Sequence, residues 1–301
     1  MEHLLSAWPA VLRQLAKARH ILLLSDYDGT LTPIVERPEL ATLSEDVRCH
    51  LELLASDRHF SIGIVSGRAL SDLKSRVGIA GLVYAGNHGL EIEGLGLSFV
   101  SPVAAELRPL FRVIHFALRR ALSSVRGVLV EDKGLSLSVH YRMVDRDRVP
   151  YVEEIVRRVV GPAQAAGKAR LTSGKKVHEI RPAVDWNKGK AVRLLMKRYG
   201  RGGRRSGLVS LFFGDDITDE DAFREIESYG DGVSVFVGRP NRHSAATYYL
   251  RSPEEVNSFL GLLASAHELC QEFAVDPATI MSACPGSAGP QTRTSGGLGY
   301  T

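Results

Sequence analysis

The chain has 301 residues, 44% hydrophobic and 24% charged, an ordinary globular balance with length for one to three domains. Its 38 basic and 34 acidic residues are interspersed and net only +4, and its three cysteines, Cys49, Cys270 and Cys284, are far apart, which excludes a disulfide framework and a clustered zinc site and fits a reducing compartment. No apolar run approaches bilayer length and the N-terminus lacks the features of a signal peptide, so no membrane contact and a cytoplasmic location are expected.

"MEHLLSAWPAVLRQLAKARH" reads as an amphipathic helix. The next stretch, "ILLLSDYDGT", starts as a strand buried on both faces of a sheet and then turns acidic at Asp26 and Asp28. Strand side chains alternate, so these two carboxylates share a side, and both stay ionised cheaply only with positive charge nearby. Asp-Gly is also a hairpin signal, and on these residues alone a polar turn is an equal reading. "SEDVRCHLELLASD" follows as a helix. "FSIGIVSG" is a strand ending at Ser66, Gly67 and Arg68, "ALSDLKSRV" a helix, and "GLVYAGNHG" a strand leading to Asn87 and His88.

Residues 101–183 have a different texture. "AAELRPLFRVIHFALRRALSSV" reads as a helix and "GVLVEDKGLSLSVHYRMV" as a hairpin turning near Lys133 and Gly134. "VPYVEEIVRRVV" reads as a second helix, and "ARLTSGKKVHEIRP" as a second hairpin turning at Ser173 and Gly174. This is a compact α+β unit, expected as an insert in an α/β domain formed by residues 1–100 and 184–270. "GKAVRLLMKRY" is a helix with Lys188 just ahead of it, and the basic "RYGRGGRRSG" after it reads as a solvated loop with no aromatic platform for nucleic acid. "LVSLFFGDD" is a strand ending at Asp215 and Asp216, "DEDAFREIES" a helix and "GVSVFVG" a strand. Strands alternating with helices predict a doubly wound, mostly parallel α/β sheet. The end of the chain, residues 283–301, is rich in Gly, Ser, Thr and Pro and is expected to be disordered.

Ligands of open α/β sheets bind beyond the carboxyl ends of the strands. That rule gathers Asp26, Asp28, Ser66, Lys188, Asp215, Asp216 and Asp219 at one edge. Each has a plainer reading. Ser66 can cap the helix after it, Thr218 and Asp221 resemble a capping box, and Lys188 can be a solvated surface lysine. The acidic "GDDITDED" does not fit a calcium loop. A Mg²⁺ ion held by Asp26 and Asp215 makes ionised acids favourable and gives a phosphate ester its counter-charge. Asp26 can then attack phosphorus, with Lys188 and Ser66 holding phosphoryl oxygens and Asp28 as acid and then base.

The "DYDGT" segment, Ser66, Lys188 and "GDDITDED" resemble the four motifs of the haloacid dehalogenase superfamily of phosphatases. Together, "DYDGTLTP", "SGR", "GNHGLE", "SVHYR", "GKKVHEIRP", "NKGKA" and "GDDITDEDAF" are similar to the trehalose-6-phosphate phosphatase family, from about residue 20 to about residue 260. The resemblance implies a phosphatase of that sugar phosphate with Asp26 as nucleophile and Asp28 as acid/base. It implies Mg²⁺ on the Asp26 side chain, the Asp28 carbonyl and Asp215, with Asp216 and Asp219 close behind. In an extended "GKKVHEIR", Lys175, Val177, Glu179 and Arg181 share a face, as His140 and Arg142 do in "LSVHYR". The family implies that Glu131, Arg142, Lys175 and Glu179 contact the disaccharide from the inserted unit, which acts as a cap. Arg68 at its strand end, and Asn87 and His88 near the seam, are added as substrate contacts. The alternatives are a sucrose-phosphate or mannosyl-phosphate type of phosphatase, a receiver-like signalling domain that keeps its aspartyl phosphate, and a non-catalytic sugar-phosphate sensor. The pathway neighbour implied is a trehalose-6-phosphate synthase.

Overall fold

The computed structural model describes residues 1–174, 176–200 and 207–273, with side chains through 266. In chain order the first elements are β1 (Glu2–His3), α1 (Trp8–Ala16), β2 (His20–Ser25), α2 (Glu45–Ser56), β3 (Phe60–Val65), α3 (Leu70–Val77), β4 (Val83–Gly86), β5 (Glu91–Gly94) and β6 (Leu97–Val100). Then come α4 (Pro102–Glu106), α5 (Arg108–Ala121), β7 (Leu129–Asp132), β8 (Leu137–His140), α6 (Val149–Ala165), β9 (Ala169–Gly174) and β10 (Val177–Pro182). The chain continues through α7 (Lys188–Tyr199), β11 (Leu208–Gly214), α8 (Glu220–Tyr229), β12 (Gly232–Val237), β13 (Tyr248–Leu250) and α9 (Pro253–Phe273).

The larger sheet runs β1-β13-β12-β11-β2-β3-β4-β5-β6, parallel up to β4 and antiparallel from β4 to β6. Alternation along β2 explains why the sheet is covered on both faces. Ile21 and Leu23 pack with Val11, Leu51, Leu73 and Phe259 of α1, α2, α3 and α9. Leu22 and Leu24 point the other way, onto Val192 and Leu195 of α7 and Phe223 of α8. A run apolar at every position is what two covered faces require. β2 is also where the strand order reverses, with β3 and β4 on one side and β11, β12 and β13 on the other.

The second sheet, β7-β8-β10-β9, is antiparallel. Leu137, Val139 and Ile180 on one face form a core with Phe111, Ile114 and Leu118 of α5 and Val152, Val156 and Val160 of α6. The other face carries the rows Glu131–Ser138–Glu179–Thr172 and Leu129–His140–Val177–Gly174 across the four strands. Its helices cover one side only, and the polar side is turned to the larger sheet.

Four local expectations are corrected. The N-terminal helix is shorter than read, because Glu2 and His3 pair in parallel with Tyr248 and Tyr249, a partner remote in sequence. A β5–β6 hairpin extends the large sheet where no strands were anticipated. The turn of the second small-sheet hairpin lies beyond Ser173 and Gly174, which remain in β9: Gly174 pairs with Val177, and Lys176 takes the positive φ of 66°. The capping box ahead of α8 is formed by Asp216 and Asp219 rather than Thr218 and Asp221. The expected disordered tail and residues 201–206 of the basic stretch lie outside the described residues.

Candidate active site

The site begins with a register. β2 and β11 are parallel neighbours with Ser25 opposite Phe213, and the Asp26 N–H donates to the Phe213 carbonyl at 2.8 Å. Asp26 and Asp215 therefore leave the sheet side by side at the point where the order reverses, the position that binds ligands in this architecture. Asp215 comes over the turn after β2 so closely that a Cβ at Gly29 would sit 2.3 Å from its Oδ2, and Gly29 has φ 88°. Only glycine fits both demands.

Carboxylate oxygens of Asp26, Asp215 and Asp219 lie within 4.8 Å of one another. Lys188, the first residue of α7 and 3% exposed, inserts its Nζ 2.9 Å from Asp26 Oδ1 and 2.7 Å from Asp219 Oδ1. Asp219 is fully engaged, since its Oδ2 accepts the N–H groups of Asp215 and Asp216 at 3.1 Å each. Burial, opposed by Lys188 but reinforced by Asp219 and Asp215, pushes the Asp26 carboxyl well above the usual carboxylate range. Burial works against the Lys188 ammonium, yet Asp219 and Asp26 override it and hold it charged. One buried cation thus bridges two of the three clustered acids. Asp26 and Asp215 line the adjoining cavity, whereas Asp219 stands behind Lys188. Two hard oxygen donors open to a cavity, over a net negative cluster, fit a divalent cation of the Mg²⁺ kind. Asp216 lines the cavity rim outside this cluster, and its exposed Oδ1 accepts the Ile217 N–H at 2.6 Å.

Ser66 does not cap the next helix: α3 starts at Leu70 after Ala69, with no side-chain cap. Its Oγ instead accepts the Arg68 N–H at 3.2 Å and lies on the cavity wall, which leaves the hydroxyl proton for a ligand. Asp28 also lines the cavity, and both its oxygens are taken by Arg68, at 2.7 Å from Nε and 2.6 Å from Nη2. Arg68, expected at the substrate, is thus occupied by the protein.

The cavity, of about 770 Å³, is closed from above by the polar face of the small sheet. Glu131, Ser138, His140, Arg142, Thr172, Glu179 and Arg181 line it opposite Asp26, Asp28, Ser66 and Lys188. Glu131 Oε2 and His140 Nε2 are 2.9 Å apart, Arg142 Nη1 donates to the Val35 carbonyl at 2.9 Å, and Arg181 grips Glu179 Oε2. Lys175 lies outside the described residues. Asn87, expected among substrate contacts, is buried outside the cavity. Its Nδ2 donates to the Lys133 carbonyl at 2.9 Å and its Oδ1 accepts the Ser136 hydroxyl, so it ties the β7–β8 turn to the large domain. Lys133 on that turn was read only as a turn residue. It reaches the Gly67 carbonyl at 3.0 Å and Glu179 at 3.7 Å and forms part of the cavity wall. Its sequence context, Asp-Lys-Gly, is ordinary turn chemistry and carries no separate signal.

His88 has φ 57° and its ring packs on Gly67, where a Cβ would come within 2.7 Å of it. Its Nε2 is 3.4 Å from Glu179 Oε2. Burial pushes the ring down to about 4, against the pull of Glu179 and with Arg181 and Lys188 adding to the effect. The unfolded chain therefore takes up a proton that the folded one refuses, and stability should fall as pH drops from about 6.5 towards 4, by about 3 kcal/mol at most. Melting curves over that window should show a smaller loss for His88→Gln than for wild type; equal losses would mean that the buried ring is not the group responsible.

The family model for trehalose-phosphatase matches residues 24–254, which takes in the whole small sheet, all of the large sheet except β1 and the start of β2, and every residue of the acidic cluster. The chain belongs to the trehalose-phosphatase family. It is 36% identical over 269 residues to "probable trehalose-phosphate phosphatase 3" of Oryza sativa subsp. japonica, a match covering 84% of this chain and 72% of that one. It is 36% identical over 256 residues to "probable trehalose-phosphate phosphatase D" of Arabidopsis thaliana, covering 81% and 67%. Among solved structures it resembles the C-terminal domain of C. albicans trehalose-6-phosphate phosphatase, with a TM-score of 0.72, 28% identity, and 85% of this chain and 96% of that one covered. The architecture is that of the haloacid dehalogenase phosphatases, an α/β core carrying an α+β cap.

Proposed function

We propose that the protein hydrolyses trehalose 6-phosphate to trehalose and inorganic phosphate, with Asp26 carrying the phosphoryl group between two half-reactions. The observation that supports this most is the cavity itself: a buried Lys–carboxylate cluster on its floor and a sheet face of acids, hydroxyls and cations as its roof. The floor suits a phosphate ester and the roof suits a polyhydroxylated leaving group. Asp26 and Asp215 would hold Mg²⁺, with Asp216 and Asp219 nearby, and the ion would supply counter-charge to the phosphoryl oxygens.

In the first half-reaction a carboxylate oxygen of Asp26 bonds to phosphorus as the bond to the sugar 6-oxygen breaks. That oxygen keeps the bonding pair and takes a proton from the Asp28 carboxyl. Lys188 and the Ser66 hydroxyl hold phosphoryl oxygens in place. In the second, Asp28 as carboxylate removes a proton from water, whose oxygen attacks phosphorus and returns the electron pair to Asp26. Residues 101–183 act as the cap, and Glu131, Arg142, Lys175 and Glu179 serve the sugar hydroxyls, with His88 beside Glu179 on the cavity wall. The reaction follows a trehalose-6-phosphate synthase, which supplies the substrate. A cytoplasmic location, read from the cysteine usage, belongs to the same proposal.

Phosphate release from a panel of sugar phosphates tests the reading. Wild type should prefer trehalose 6-phosphate over sucrose 6-phosphate and mannosyl phosphates, and EDTA should remove the activity. Glu179→Ala should lose about 10²-fold on trehalose 6-phosphate and much less on p-nitrophenyl phosphate, because buried polar partners set such discrimination. A preference for another sugar, or equal losses on both substrates, would overturn the specificity.

A further inference from the structure

Arg68 is the strand-end cation that sequence logic assigned to the substrate, yet its donors turn into the protein. Nε and Nη2 take the two oxygens of Asp28, Nη2 also donates to the Pro38 carbonyl at 2.9 Å, and Nη1 donates to Asp72 Oδ2 at 2.8 Å. The guanidinium carbon lies 5.3 Å from the centroid of the buried Tyr27 ring, and the Arg68 side chain is 8% exposed. To bind a phosphoryl oxygen, Arg68 would have to release Asp28.

A second layer holds this arrangement. Arg76 Nε donates to Asp72 at 2.8 and 2.9 Å, and its Nη1 reaches the carbonyls of Glu39 and Ala41. The ions Arg76, Asp72, Arg68 and Asp28 form one line, anchored on α3 and on the segment around Pro38. At its cavity end the Asp28 side chain is still 39% exposed. A planar fork with two parallel bonds fixes the plane of a carboxylate, which one point charge does not.

We propose that Arg68 is a positioning residue, holding the Asp28 carboxyl in the plane from which it serves the leaving-group oxygen, and that Asp72 in turn holds Arg68. This rests on the reading of Asp28 as acid and base. The step served is the proton transfer already described: the phosphorus–oxygen bond breaks, its electrons stay on the departing oxygen, and the Asp28 proton goes to that oxygen. General acid catalysis matters more for a poor leaving group than for a good one, so faulty positioning should make the rate more sensitive to leaving-group acidity.

The measurement is kcat/KM, which extends only to leaving-group departure, for aryl phosphates of one shape and graded phenol acidity, from p-nitrophenyl to phenyl phosphate. Wild type, Arg68→Lys, Asp72→Asn and Asp28→Asn are compared. Arg68→Lys and Asp72→Asn should lose about tenfold more on phenyl than on p-nitrophenyl phosphate, a fraction of what a full general acid contributes. Asp28→Asn should show the same bias more strongly. Uniform losses across the series in both Arg68→Lys and Asp72→Asn, with the bias kept in Asp28→Asn, would overturn the positioning role and leave the acid role standing. Uniform losses in Asp28→Asn itself would remove the acid role, and the positioning role with it. Asp72 lies outside the cavity lining, so its variant decides the matter should Arg68→Lys fail to fold.

Discussion

Asp26→Asn should yield a folded protein with a melting temperature in EDTA at or above that of wild type, and with turnover of trehalose 6-phosphate below a thousandth of it. The activity part follows from chemistry: an amide cannot accept the phosphoryl group, and loss of a nucleophile costs at least about 10³-fold where the covalent route is the only one. The stability part follows from the buried acids. The Asp26 carboxyl is pushed up in the folded state, by burial first and then by Asp219 and Asp215, with only Lys188 opposing. A group that holds its proton more tightly when folded weakens the fold once it ionises, so its charge detracts from stability at pH 7. Asparagine keeps the shape and an acceptor for Lys188 while removing that charge. A gain in stability with loss of activity is the pattern of a residue kept for function. Turnover within tenfold of wild type would rule out phosphorylation at Asp26, and a marked fall in melting temperature would mean that the Asp26–Lys188 ion pair outweighs the repulsion.

How much of this was legible in the sequence depended on the range of the interaction that decides each feature. The apolar run 21–24 predicted a strand covered on both sides, and the acids after it and after β11 were placed by one rule about strand ends. Parallel neighbours must bring their carboxyl ends together, so a local pattern was enough to gather Asp26 and Asp215, while Lys188 was placed with them as the start of the helix after the inserted unit. The same logic placed Arg68 at the right edge but could not tell which way its guanidinium turns. That depends on Asp28, forty positions earlier, and on Asp72. Asn87 was put at the seam, where it lies, but its bonds to Lys133 and Ser136 of the β7–β8 turn depend on a segment 46 to 49 positions later, and they commit its amide to joining the two domains. The second small-sheet hairpin was misplaced because Ser-Gly is the stronger turn cue on its own. The β9–β10 ladder instead continues through Gly174 and leaves the left-handed position to Lys176. β1 was invisible for a similar reason, being a two-residue strand whose only reason to exist is β13.

Lys188 is where fold and chemistry are hardest to separate. Lys188→Met keeps the length of the buried stem and removes the one cation that touches both Asp26 and Asp219. Removing one partner of a buried ion pair leaves charge without compensation and costs about 3–5 kcal/mol. Asp219 keeps the N–H groups of Asp215 and Asp216, so the larger share of that cost should fall on Asp26. The melting temperature of Lys188→Met in EDTA should therefore fall sharply, recover in part with added Mg²⁺, and recover again in the double variant Lys188→Met, Asp26→Asn, where one uncompensated charge is gone. Activity should be lost in both. A double-mutant cycle on denaturant stability isolates the coupling, which for groups in direct contact runs to about 0.5–3 kcal/mol. Additive effects of the two substitutions would mean that Lys188 neutralises Asp219 alone, and that the charge of Asp26 is balanced only when a metal is bound.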